Sequence, residues 1–250
     1  MTKLNKNNIG AGCAASVCAA LALAVFIPKP EANATTLEQW TFENSYASIT
    51  GANTGAFNGT SPLVSEAGVL TGTASAYHAG SSTYSSPVGN GSSHSFSSTN
   101  WAVGDYYQFK LSTTGYQQIT VTFDQISSGT GPRDFKLAYS TNGTSFTDIT
   151  TYQLINNTSP NNWSSGAAKT TSSYTDDLTA NPAFDNQSTL YFRLIDNSTN
   201  AVVSGSTVQT GGTDRVDNFI VTAAVPEPAT CAMALGGLGV LMFLQRVRRK

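Results

Sequence analysis

Two histidines, His78 and His94, and thirteen carboxylates from Glu38 to Asp217 are what the segment between Thr35 and Ala224 offers for proton transfer or metal binding. The histidines stand sixteen residues apart, which matches no zinc-ligand spacing. A Ser-His-Asp hydrolase would need a rigid platform. "GSSHS" from Gly91 lacks the G-x-S-x-G elbow, and the stretch from Ala74 to Asn100, rich in Ser and Gly, reads as a long loop. A glycosidase needs two carboxyl groups flanking one bond, for which Asp176 with Asp177, or Asp105 with Asp124, are the candidates. Neighbours on a strand point to opposite faces, so Asp176 and Asp177 fail unless a turn intervenes. Gly129-x-Gly131 has no following helix or phosphate-binding Lys and reads as a turn ending at Pro132.

These side chains must be positioned by strands. Alternation of period two runs through "DYYQFKL", where Tyr107, Phe109 and Leu111 face one way and Gln108 and Lys110 the other. It recurs in "QITVTFD", in "DFKLAYS" and in "STLYFRLID", where Leu190, Phe192 and Leu194 oppose Tyr191, Arg193 and Ile195. Asn142-Gly143 offers two positive-φ positions for a tight hairpin between Tyr139 and Phe146. "TDRVDNFIVTA" closes the series, and no stretch sustains a helical period. The expected fold is all-β: an antiparallel two-sheet jelly-roll sandwich in one domain, residues 35–224.

Composition narrows the partners. Six basic side chains (Lys110, Arg133, Lys136, Lys169, Arg193, Arg215) face thirteen acidic ones in this body, so no basic stripe awaits nucleic acid. Cys13, Cys18 and Cys231 all lie in terminal apolar stretches, leaving the body without a disulfide or a thiolate metal site. For a glycan, sugar rings would stack on aromatic faces, and Trp101, Trp163, Tyr77 and Tyr84 stand in loop-like surroundings. Asn-x-Ser/Thr triplets occur at several positions, Asn90 among them, in a chain rich in all three residues.

The two ends carry addresses. Lys3 and Lys6 precede an uncharged run from Ile9 to Ile27, and Ala32-Asn33-Ala34 has the small-x-small pattern that signal peptidase cuts, giving a signal helix over 1–34. A retained membrane anchor is the alternative there. At the other end Val225-Pro226-Glu227-Pro228 is followed by an apolar run to Leu244 that would reach only about 24 Å as a helix, against about 30 Å of hydrocarbon. Arg246, Arg248, Arg249 and Lys250 would hold its end on the cytoplasmic side.

"VPEP", the short helix with "GGLG" and the basic cluster are similar to the PEP-CTERM sorting signal of bacterial surface proteins. That resemblance implies a short transmembrane helix over 225–250, processing by an exosortase, and a cell surface or exopolysaccharide matrix as destination. In the body, "WTFE", "YSTNGTSFTDI" and "DRVDNFIV" resemble secreted jelly-roll modules of the carbohydrate-binding or adhesion kind. In such modules an early Glu and a late Asp share a structural calcium, and the matching positions are Glu43 and Asp217, with Asp214 a weaker candidate. The expectation is an exported, non-catalytic surface or matrix protein that binds glycans or matrix components. A secreted polysaccharide hydrolase and a passive spacer are the alternatives.

Overall fold

The computed structural model describes residues 34–49, 51–57, 63–225, 239, 242 and 244–248. In chain order the strands are β1 (Ala34–Trp40), β2 (Gly51–Ala56), β3 (Leu63–Val64), β4 (Thr73–Ser85), β5 (Phe96–Thr99) and β6 (Tyr106–Leu111). They continue as β7 (Gln117–Ser127), β8 (Asp134–Ser140), β9 (Thr147–Gln153), β10 (Ser173–Asp177), β11 (Leu190–Asp196) and β12 (Thr213–Ala224). A one-turn helix, α1 (Tyr46–Ile49), follows β1.

The ladders are antiparallel and join in the order β10-β7-β12-β5-β4-β6-β11-β8-β9. β1 adds to β12, and β2 and β3 add to β4. Four-residue β5 is the corner: it pairs with β12 on one side and β4 on the other, and the sheet curls around it. Beyond this corner the two halves face each other. Phe219 of β12 stacks on Phe109 of β6 with centroids 3.6 Å apart, and Phe123 of β7 packs on Tyr152 of β9. The result is an all-β, antiparallel, curled sheet consistent with a β-sandwich.

Alternation builds the core. Tyr107 and Phe109, Ile119 and Val121, Leu190 and Phe192, and Phe219 and Val221 are all buried, and their strand neighbours turn outward. Burying each such aromatic side chain stabilises the fold by on the order of 2 kcal/mol.

Two expectations are corrected. The stretch from Ala74 to Asn100 holds the thirteen-residue β4 and then β5 rather than one long loop. Its inward positions are the small or polar Ala74, Ala76, His78 and Ser82 until Tyr84 near the end, so the alternation carries little hydrophobic signal. In the β8–β9 hairpin only Gly143 of the Asn142-Gly143 pair takes a positive φ. The Asn142 side chain accepts hydrogen bonds from the Thr144 and Ser145 N–H groups, closing an Asx-type loop instead of a two-residue turn.

Ala32, Pro226, Glu227, Pro228, Arg249 and Lys250 lie outside the described residues, as does nearly all of segment 1–34. Residues 244–248 are helical, and no helix among the described residues is long and apolar enough to cross a membrane.

Candidate functional site

The alternation that sends Tyr107 and Phe109 inward sends Tyr106, Gln108 and Lys110 to the outer face, and register aligns them with neighbours in rows. Thr73, Lys110, Tyr191 and Ser140 form one row; Ser75, Gln108, Arg193 and Ala138 the next; Tyr77, Tyr106, Ile195 and Lys136 the third. Tyr77 stacks on Tyr106 at 5.3 Å with the rings 19° from parallel. The Arg193 guanidinium is sandwiched, its Cζ 3.8 Å from the Tyr106 centroid and 3.7 Å from that of Phe146 in the hairpin loop. Its Nε donates to Gln108 Oε1 at 2.8 Å. Lys110 Nζ lies 5.7 Å from the Tyr191 ring. At Gly143 a Cβ would come within 3.0 Å of that ring, and its φ of +74° disfavours any side chain, so glycine lets the hairpin close over the face. Beside Lys110 a hollow of about 260 Å³ is lined by the hydroxyl-bearing Thr71, Thr73, Ser112, Ser188 and Thr189.

Of the four aromatic residues singled out in the sequence, only Tyr77 belongs to this surface. Trp101, Trp163 and Tyr84 are buried to 5%, 3% and 1% exposure, and the two indole N–H groups donate to Ser98 O and Ser172 Oγ. They are packing residues. Tyr106, Phe146, Tyr191 and Arg193 were missed as binding candidates although the alternation had already placed Tyr191 and Arg193 on the outer side.

Glu43 and Asp217 meet on one loop. Glu43 Oε1 accepts from His94 N at 2.6 Å, while Asp217 Oδ2 accepts from Asn90 N at 2.9 Å and from Ser92 Oγ at 2.7 Å. Both are flanked by left-handed backbone: Phe42 has φ 59° and Asn218 φ 47°, the latter at the bulge between Asp217 and Ile220. Burial pushes the Asp217 carboxyl up to about 7, and nearby Asp124 adds to the rise. Asp217 does not pair with Arg215 in the described residues; its contacts are with the loop. Ser92 Oγ, the His94 carbonyl and Asp217 Oδ2 converge so closely that a Cβ on Gly89 would lie within 2.3 Å of all three. Carboxylate, hydroxyl and carbonyl oxygens are the type of donor calcium takes, although among the described residues no three or more His, Cys, Asp or Glu side chains are grouped to hold a metal. Asp214 lies apart, fully buried and bonded to Gln125 Nε2.

His78 is buried in β4 rather than mobile. Its Nδ1 faces Asp105 Oδ2 at 2.9 Å and its Nε2 faces Ser98 Oγ at 3.0 Å, the order of a hydrolytic triad. His78 and Ser98 are each 0% exposed, and Ser98 also bonds the Tyr107 hydroxyl, so substrate has no approach to the serine. His94 stacks on Tyr46 at 4.1 Å. Asp105 and Asp124 belong to separate hydrogen-bond clusters, around His78 and Asn218 respectively, and Asp176 and Asp177 alternate along β10 as the sequence required. The Asn90 side-chain amide is buried and bonded on both sides by Lys169, which removes that triplet from glycosylation in the folded chain.

Residues 224–250 match the PEP-CTERM protein-sorting motif. The chain is thereby marked as exported and surface-directed, with an exosortase as its implied partner. No curated protein matches the sequence. Among solved structures, the chain is similar to the CBM22-1-GH10 modules of the Clostridium thermocellum xylanase Xyn10B, at 13% identity and a TM-score of 0.40. That match covers 78% of this chain but 29% of the other, so the chain spans under a third of the xylanase's length. The K3 cleaved adhesin domain of Lys-gingipain from Porphyromonas gingivalis is similar at 12% identity and a TM-score of 0.38, covering 74% and 98% of the two chains. TmCBM61, solved with β-1,4-galactotriose, is similar at 8% identity and a TM-score of 0.30, covering 72% and 92%.

Proposed function

We propose that the body is a non-catalytic glycan-binding module of jelly-roll form, exported through its first 34 residues and sorted by residues 225–250. One observation carries the binding reading: a partly exposed face with aromatic residues at both ends, Tyr77 stacked on Tyr106 in one row and Tyr191 two rows away across Gln108 and Arg193, next to a hydroxyl-lined hollow. Sugars offer C–H faces to such rings and hydroxyls to such amides. Sealed Ser98 argues against the hydrolase alternative. A glycan array probed with the purified protein and with Tyr106→Ala and Tyr191→Ala tests this. Binding by the wild type and its loss in both variants is expected; silence of the wild type returns the body to a passive spacer.

Signal peptidase would cut after Ala34, which is the first residue of β1, so the mature strand would begin at Thr35 with one ladder pair fewer. The helix after Pro226-Glu227-Pro228 would then halt in the membrane until exosortase acts. Replacing the triplet by alanines should trap the protein in the membrane fraction, and normal release would refute this step. A calcium ion held by Glu43 and Asp217 would neutralise the buried carboxylate and fix the loop from Gly89 to His94 to the junction of the first and last strands.

A further inference from the structure

Two of the body's six basic side chains, Arg193 and Lys110, stand on the outer face. Among the described residues Arg133 pairs with Asp134 and Lys136 with Asp148, whereas neither Arg193 nor Lys110 pairs with a carboxylate. From β4 to β8 the three rows carry no acidic side chain, and on the adjoining β9 Asp148, opposite Ala138, is engaged by Lys136, in a body with more than twice as many acidic as basic residues.

Arg193 is also held still. Two aromatic rings clamp its plane and Gln108 takes its Nε, so the rotamer entropy that usually opposes a surface arginine's hydrogen bonds has been lost in folding. Its two terminal nitrogens form no hydrogen bond with any described residue. A clamped guanidinium edge is a bidentate partner for a planar carboxylate. Lys110 sits opposite Tyr191, two residues along β11 from Arg193, so its backbone stands diagonally across the sheet at about 7–8 Å. That interval is of the order of one pyranose ring and its linkages.

We propose that this face selects acidic polysaccharide: Arg193 grips the carboxylate of a uronate residue, Lys110 beside Tyr191 attracts a neighbouring charge, and the Tyr77–Tyr106 pair on the other side of Arg193 offers a ring face to the chain. The inference rests on the glycan-binding reading above and adds the ligand's charge class to it.

The test measures binding of the full chain to alginate, polygalacturonate and hyaluronate, each beside its carboxyl-reduced, neutral counterpart. At least one acidic polymer should bind about tenfold or more tighter than its reduced form at low salt. The preference should shrink as salt rises towards 1 M, where the screening length falls to about 3 Å. Arg193→Gln should abolish the preference, and Arg193→Lys should restore little of it because the flat, two-pronged donor is lost. Should Arg193→Gln lower the melting temperature, Lys110→Gln, at an exposed position, serves in its place and should reduce the preference several-fold. Equal binding of acidic and reduced polymers overturns the charge selection and leaves glycan binding standing. Binding to dextran sulfate and polyphosphate as tight as to the uronates, unchanged in Arg193→Lys, assigns the effect to charge alone and overturns the carboxylate grip. Failure of every polymer, acidic and neutral, overturns both readings.

Discussion

His78 and Asp105 face each other across 2.9 Å with both side chains out of reach of water. Asp105 also accepts from the Ala79 and Ala102 N–H groups, and His78 reaches on through Ser98 to Tyr107, so one end of the sandwich is pinned by a buried polar chain. Half of such a pair costs more than none. His78→Ala should lower stability by about 3 kcal/mol or more, read as a reduced urea midpoint, while leaving glycan binding at the outer face intact. A midpoint within error of the wild type would mean that the pair contributes nothing.

Asp196 gives the fold a pH dependence. Burial, with Asp105 and Asp134 nearby, raises its carboxyl to about 7, and one oxygen has no hydrogen-bond partner. The folded state therefore holds a proton that the unfolded chain releases near the ordinary carboxylate pKa. This stabilisation is complete below about pH 4 and is lost as pH rises through 7. A carboxyl that holds its proton over so wide a pH interval carries stability on the order of a few kcal/mol. Asp196→Asn should reduce the fall in thermal stability between pH 4 and 8, leaving the part that Asp217, raised to about 7 as well, contributes, and should raise the melting temperature at pH 8 above that of the wild type. An unchanged slope would place the titration elsewhere.

Calcium, if Glu43 and Asp217 hold it, must show in the melting curve. Chelation should lower the melting temperature, calcium should restore it, and Glu43→Gln or Asp217→Asn should make the protein indifferent to both. A wild type that ignores chelator removes the ion from the account.

The stacked pair Phe109 and Phe219 joins the two layers with no surface function. Phe219→Ala should cost about 3–5 kcal/mol, and Phe219→Leu considerably less. Equal losses would show that contact between the layers does not depend on the ring.

The layers and most strands were legible because buried and exposed positions alternate in β6, β7, β8, β11 and β12 with large apolar residues on one side. β4 was not, since its inner row runs Ala74, Ala76, His78 and Ser82 before the single large ring of Tyr84, and His78 packs on Trp101 and bonds Asp105. Glu43 and Asp217 were legible through resemblance, and they do share a loop, but their anchor points Asn90, Ser92 and His94 follow from backbone path alone. The aromatic face was half legible. Outward Tyr191 and Arg193 could be read from spacing, whereas the arrival of Phe146 over Arg193 depends on how the Gly143 loop folds back.

β12 lies between β7 on one side and β5 and β1 on the other, yet it is the last strand of the body to be synthesised. Every other described strand of the body therefore precedes in the chain the one that locks them together. The sheet is complete only with Ala224 in place opposite Ala34 of β1. The match to the sorting motif begins at that same Ala224, so the strand that locks the sheet and the address share a residue, and a body cut before β12 would lack both.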